Sequence, residues 1–273
     1  MTHNTTTTSS SSAAPGGVTR NGMDTAGWFR LLRAELRKLT STKLPWGFVI
    51  ALVVIAAINA TAVIFGTDMD GSKAFISTAD DQQSLMAFAG NALMGATLFG
   101  AMAVAREYGY GTVVPTFLAS PRRHRAVLAQ LTAVAVVGAV LGLIGAALTM
   151  AAVALSLPTT EYGFLVSAGV VLRLLAAAAY CGSAGAVLGA GIGSLVRNTG
   201  GAVAVAVFVL IIAPPLIVQL ASDTGSWMPQ TLANVLSGVT FEVSVLAAVG
   251  AIALWALIPA AIGLVAVQRR DIV

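Results

Sequence analysis

Few residues in this chain have the type and spacing to do chemistry, and those that do are charged rather than nucleophilic. His3 and His124 lie far apart, and the single cysteine, Cys181, sits inside an apolar run with no second thiol to pair with. There is no His-Glu-x-x-His, no Gly-x-Ser-x-Gly and no Cys/His cluster at metal-ligand spacing, so the sequence offers neither a catalytic nor a metal site. No Gly-x-x-x-x-Gly-Lys-Ser/Thr loop occurs either, so any use of ATP needs another polypeptide. What remains is one charged segment, Arg106-Glu107-Tyr108-Gly109-Tyr110-Gly111-Thr112, followed by Leu118-Ala119-Ser120-Pro121-Arg122-Arg123. A second is Ala34-Glu35-Leu36-Arg37-Lys38-Leu39. Glu107 can accept a charge-assisted hydrogen bond from a basic group on a partner or on the upstream helix, or simply pair with Arg106 or Arg33. The Gly-Tyr-Gly echo of a potassium filter fails, because Arg106-Glu107 stands where Thr-Val is required.

The elements that position these residues are lipid-embedded. Hydrophobic residues make up 57% of the 273-residue chain, charged residues only 10%, and the mean hydropathy is +0.88. Soluble domains carry roughly 25% charged residues, and a bilayer core of ~30 Å takes about 20 apolar residues to cross. Apolar runs at about 45–66, 85–105, 126–157, 170–196, 201–221 and 243–267 predict an all-α membrane protein of six transmembrane helices. Residues 1–23, with Thr5 to Ser12 an unbroken Thr/Ser stretch, read as a disordered tail without the apolar core of a signal peptide. Residues 24–44 read as an amphipathic interfacial helix, and 45–273 as the transmembrane domain. In the amphipathic helix Trp28, Phe29, Leu32, Leu36 and Leu39 share an arc of about 100°, with Arg30, Arg33 and Arg37 opposite. Glu35 projects toward the apolar side, which calls for a protein partner there. Pro214-Pro215 should kink or break the fifth span, and 222–242 reads as a short amphipathic or re-entrant element around Leu232, Val235 and Leu236.

Charge sets the orientation. With both termini cytoplasmic, all but Lys73 and Arg173 of the 15 basic residues fall on the inner side. That asymmetry explains the net charge of +4 without a nucleic-acid partner and requires an even number of spans. Arg173 is the one cation within a span; snorkelling to the headgroups accounts for it, with a functional role as the alternative. No acidic residue falls inside an expected hydrocarbon core, which argues against proton coupling.

The segment from Arg106 to Thr112 with Pro121-Arg122-Arg123, and the upstream Glu35 and Lys38, resembles the cytoplasmic loop and N-terminal helix of ABC-2 type permeases. The order of amphipathic helix, two spans, loop and four more spans is similar over 24–273. The resemblance implies an ABC-2 (type V exporter-like) bundle in a bacterial plasma (inner) membrane, forming a dimer with a second permease subunit, identical or closely homologous. It also implies a separate ABC ATPase that binds ATP and Mg, no cofactor on this chain, and an apolar or amphipathic cargo moved outward. Glu107, Tyr108, Gly111, Thr112, Pro121, Arg122 and Arg123 would then couple to the ATPase. Arg33, Glu35, Arg37 and Lys38 would make the amphipathic-helix contacts. Read from their charge and place, Arg122, Arg123 and Arg125 are expected to be topology determinants and ligands for membrane lipid headgroups rather than specific ATPase contacts. The path would run between the second and fifth spans, past Phe88, Asn91, Met94 and Leu98 on one and Phe208 and Ile212 on the other. The alternatives are an ion-coupled secondary transporter, or a membrane sensor or scaffold that moves nothing. The glycine stripes Gly185/Gly189/Gly193 and Gly138/Gly142 are expected to pack helices within one subunit.

Overall fold

A computed structural model of the protein describes residues 20–69, 71–110 and 123–269, with side chains over 27–69, 71–110 and 125–266. The described residues are helical with short connections: α1 (Arg20–Thr40), α2 (Leu44–Phe65), α3 (Ala79–Met86), α4 (Ala89–Gly109), α5 (Arg123–Ser156), α6 (Ala168–Val196), α7 (Thr199–Leu220), α8 (Pro229–Ser237) and α9 (Val245–Arg269). Among them are six helical stretches long and apolar enough to cross a membrane, each overlying one of the apolar runs.

The centre is α6. Its glycines face α4: a methyl group at Gly185, Gly189 or Gly193 would collide with the carbonyls of Leu93, Thr97 and Ala101. The next face of α6 meets α5, where Gly182 and Gly138 sit backbone to backbone and Gly142 abuts the Ala178 carbonyl. On a third side Gly191 lies against Pro259 and Ala260 of α9, and the Tyr180 hydroxyl donates to the Val249 carbonyl at 2.6 Å. Within hydrocarbon the lipid competes for every apolar contact, so close backbone approach between small residues does the holding. The stripes therefore pack helices inside one chain. Leu93, Leu188, Ile192, Leu232 and Ile252 fill the space between these backbones. Phe48 of α2 meets Phe99 of α4 edge-on at 5.6 Å.

Two helices depart from a simple rod. Between α3 and α4 the chain breaks at Ala87–Phe88, after a capping box in which Thr78 and Asp81 satisfy each other's backbone N–H. In α7, Pro214 and Pro215 lack the donors an α-helix would use. The helix widens into a π turn at Phe208–Ile212, where the Ala213 N–H donates to the Phe208 carbonyl. The prolines loosen the helix without ending it.

The expected amphipathic element is present as α8, which buries Leu232, Val235 and Leu236. Arg173 caps it. Its Nε and Nη2 donate to the carbonyls of Leu236 and Val235, each at 3.0 Å, while Gln83 donates to those of Ser237 and Gly238. Gly238 turns the chain at φ 73°, a conformation that suits glycine. Lys73 does the same for α2, donating to the carbonyls of Val63 and Ile64 at 3.0 and 2.6 Å. The two cations that the charge count puts on the outer side thus both bind carbonyls in the last turn of a helix, where a positive charge meets the helix dipole. Arg173 thus has partners within the chain itself. Gln82, fully buried, donates to the carbonyls of Ile76 and Gly163 and accepts from the Leu165 N–H, tying the loops at this end together.

The packing on α6 predicts a sharp contrast. Gly189→Val should lower the melting temperature in detergent, at a cost of about 1–3 kcal/mol or more from overpacking. Gly95→Val, where an added Cβ meets no atom within 4 Å, should change it little. Equal tolerance at both positions would contradict the packing.

Candidate functional site

The charged residues singled out by the sequence meet at the opposite end of the bundle, where α1 ends and α4 runs out. α1 packs Leu32, Leu36 and Leu39 beside Phe99, Val134 and Val137 of α4 and α5, and leaves Arg30, Arg33 and Arg37 exposed. Phe29, assigned to the same apolar arc, is 68% exposed instead. Arg37 and Lys38 fall in the last turn, favourably placed for the helix dipole. Thr40, Ser41 and Thr42 turn their hydroxyls back onto the carbonyls of Leu36, Lys38 and Leu39, which stops the helix and frees the chain to enter α2.

This seat places Glu35 against the protein. Its partner is internal: Lys38 Nζ lies 3.3 Å from Glu35 Oε2 and 2.6 Å from Glu107 Oε1. Both carboxylates are largely buried, and the ammonium between them is about one-third exposed. A pair three residues apart on one helix is worth only a few tenths of a kcal/mol. The Lys38–Glu107 bond differs in kind, since it joins α1 to the last turn of α4. Lysine suits the position, because a compact ammonium with three donors serves two carboxylates at once. Burial raises the Glu35 carboxyl above its ordinary value; Lys38 opposes that shift and the like charge of Glu107 adds to it.

Beside Glu107, the Tyr108 ring lies under the guanidinium of Arg197, whose Cζ is 5.0 Å from the ring centroid. Arg197 ends α6 in the left-handed region at φ 57°, with its N–H on the Gly193 carbonyl at 2.9 Å and its Nε buried without a hydrogen-bond partner. Asn198 then caps α7 by accepting from the Gly201 N–H at 2.9 Å. In the sequence Arg197 is only one of the basic residues on the inner side. Its position between two apolar runs, like that of Arg106-Glu107, is the one sign that it belongs here.

The chain thus brings Glu35, Lys38, Glu107, Tyr108 and Arg197 together from α1, α4 and α6. Gly111, Thr112, Pro121, Arg122 and the Arg123 side chain lie outside the described residues. The residues assigned to a path are less unified. Phe88 is 1% exposed and packs on Gly145 of α5, because the break at Ala87–Phe88 takes it off the α4 periodicity. Asn91 is exposed in the first turn of α4, well inside the apolar stretch Ala79–Gly109. Met94 and Leu98 are half-buried, and Phe208 and Ile212 are 50% and 47% exposed on the π turn of α7. Among the described residues no group of three or more His, Cys, Asp or Glu could hold a metal ion.

The polar cluster ties the ends of three helices to one another. What it can do is mechanical: movement of the α4 terminus must move α1 or break a buried ion pair.

The raised Glu35 carboxyl gives a signed prediction. The folded protein holds this proton more tightly than the unfolded chain does, so the charged form carries a penalty above the raised pKa that fades as pH falls toward 4.5. Between pH 7 and 4.5 the wild type should gain thermal stability relative to Glu35→Gln; a difference independent of pH would contradict the burial. No family model matches the chain, and no curated protein matches its sequence.

Proposed function

We propose that the chain is the membrane-spanning permease subunit of an ABC-2 type exporter, moving an apolar or amphipathic compound outward with energy from a separate ATPase. The observation that carries this reading is the ion pair between Lys38 and Glu107. Glu107 and Tyr108 stand at the last turn of α4, just ahead of the segment whose sequence resembles an ATPase-coupling loop. A push on that segment reaches α1 through Lys38, α6 through Arg197, and the rest of the bundle through the α4–α6 backbone packing. A transporter driven from one end needs such a joint, because packed helices pass on displacement only where they are rigidly connected.

In this reading Glu107 acts through α1 and does not touch the ATPase itself, since it is 8% exposed. The working unit is a dimer with a second permease subunit in a bacterial plasma membrane, with both termini cytoplasmic. ATP and Mg belong to the partner ATPase. The half-exposed apolar residues of α7 suit a hydrophobic cargo, and its π turn provides a place where the helix can flex.

The test is efflux of apolar dyes from cells that express the protein with its native partners. Efflux should persist when a protonophore collapses the ion gradients while ATP is maintained, and stop when ATP is depleted. Glu107→Ala should reduce it without loss of membrane insertion. Efflux that follows the ion gradient would favour a secondary transporter and contradict the proposal.

A further inference from the structure

An open groove runs between α2 and α4 at the end of the bundle that carries Glu107. Its volume is about 480 Å³, and its walls include Lys43, Gly47, Phe48, Ala51, Met102 and Arg106. The lining is apolar apart from Lys43 and Arg106, one at the start of α2 and the other in the last turn of α4. The nearby carboxylates, Glu35 and Glu107, are both engaged by Lys38. Among the described residues neither Lys43 nor Arg106 has an ion pair or a side-chain hydrogen bond. Gly47 keeps the wall low, with no atom within 4 Å of where its Cβ would stand.

Two cations at the head of an apolar groove, beside helices built to cross a bilayer, define the ligand by charge and by shape. We propose that the groove binds one anionic glycerophospholipid, its phosphate held by Lys43 and Arg106 and an acyl chain lying along Gly47, Phe48, Ala51 and Met102. A free phosphate would leave the apolar wall unused. A peptide would find no backbone partners there, because the lining groups other than the two cations are hydrocarbon or thioether. A zwitterionic lipid would fill the groove but bring a cation toward two cations. This inference does not depend on transport, and it holds for any function of the chain.

The experiment is native mass spectrometry of the full chain in mild detergent, titrated separately with dioleoylphosphatidylglycerol, dioleoylphosphatidylcholine and inorganic phosphate. The phosphatidylglycerol adduct should be retained most strongly. Lys43→Gln with Arg106→Gln should weaken it on the order of tenfold, as expected for two surface cations near anionic lipid. Gly47→Leu, whose Cβ has no atom within 4 Å and whose longer side chain occupies the groove, should weaken it as well while leaving the melting temperature unchanged. Unaltered phosphatidylglycerol affinity in the charge variant would overturn the headgroup site. Unaltered affinity in Gly47→Leu would overturn the acyl groove. Equal retention of phosphatidylcholine, or of inorganic phosphate alone, would overturn the assignment to an anionic lipid.

Discussion

The backbone of α6 lies so close to those of α4, α5 and α9 that at its glycine crossings not even a methyl group fits, and the rest of the structure depends on this. Gly185, Gly189 and Gly193 admit the α4 carbonyls, Gly182 admits α5, and Gly191 admits α9 at Pro259. Hydrophobic burial cannot drive such an assembly within lipid, because a leucine is as well solvated by acyl chains as by another helix. Dispersion across closely fitted backbones takes that role, and it acts only at short range. Once α4 is fixed on α6, the end of α4 is fixed too. Glu107 and Tyr108 are thereby presented to Lys38 and Arg197.

Polar side chains occur mainly where helices end. Lys73 and Arg173 bind the last carbonyls of α2 and α8, Gln83 joins Arg173 there, and Gln82 ties the neighbouring loops. At the other end Lys38 holds two carboxylates and Arg197 covers Tyr108. Helix termini leave backbone groups unsatisfied, and at a membrane boundary water reaches them unevenly, so long basic side chains complete them. The same placement accounts for charge asymmetry and for local stability together.

Much of this could be read in the sequence. The six apolar runs are long enough that length alone identifies them, and the Leu232/Val235/Leu236 pattern and the glycine stripes carry their own periodicity. Glu35 on an apolar face announced a partner, and the partner proved to be its own third neighbour, Lys38, shared with Glu107. What escaped were consequences of small breaks and long-range contacts. One non-helical step at Ala87–Phe88 rotated Phe88 into the core, because helical phase does not survive an interruption. Arg173 reads as a lipid-facing cation until α8 folds back, some sixty positions later, to offer it carbonyls. Arg197 meets Tyr108 only after α4 and α6 have packed, and no local pattern encodes that meeting. The residues of a path were the least legible, since apolar side chains facing lipid, cargo or another helix look alike in sequence.

An ion-paired joint closes one end of the bundle, just ahead of the segment whose sequence resembles the coupling loop of ABC-2 permeases. In the proposed function the push on that segment comes from a separate ATPase. Affinity purification of the protein from its native membrane in mild detergent, followed by mass spectrometry, tests that claim directly. The account predicts recovery of a Walker-motif ATPase in stoichiometric amount. Purification of the chain without any ATPase under several gentle conditions would contradict it.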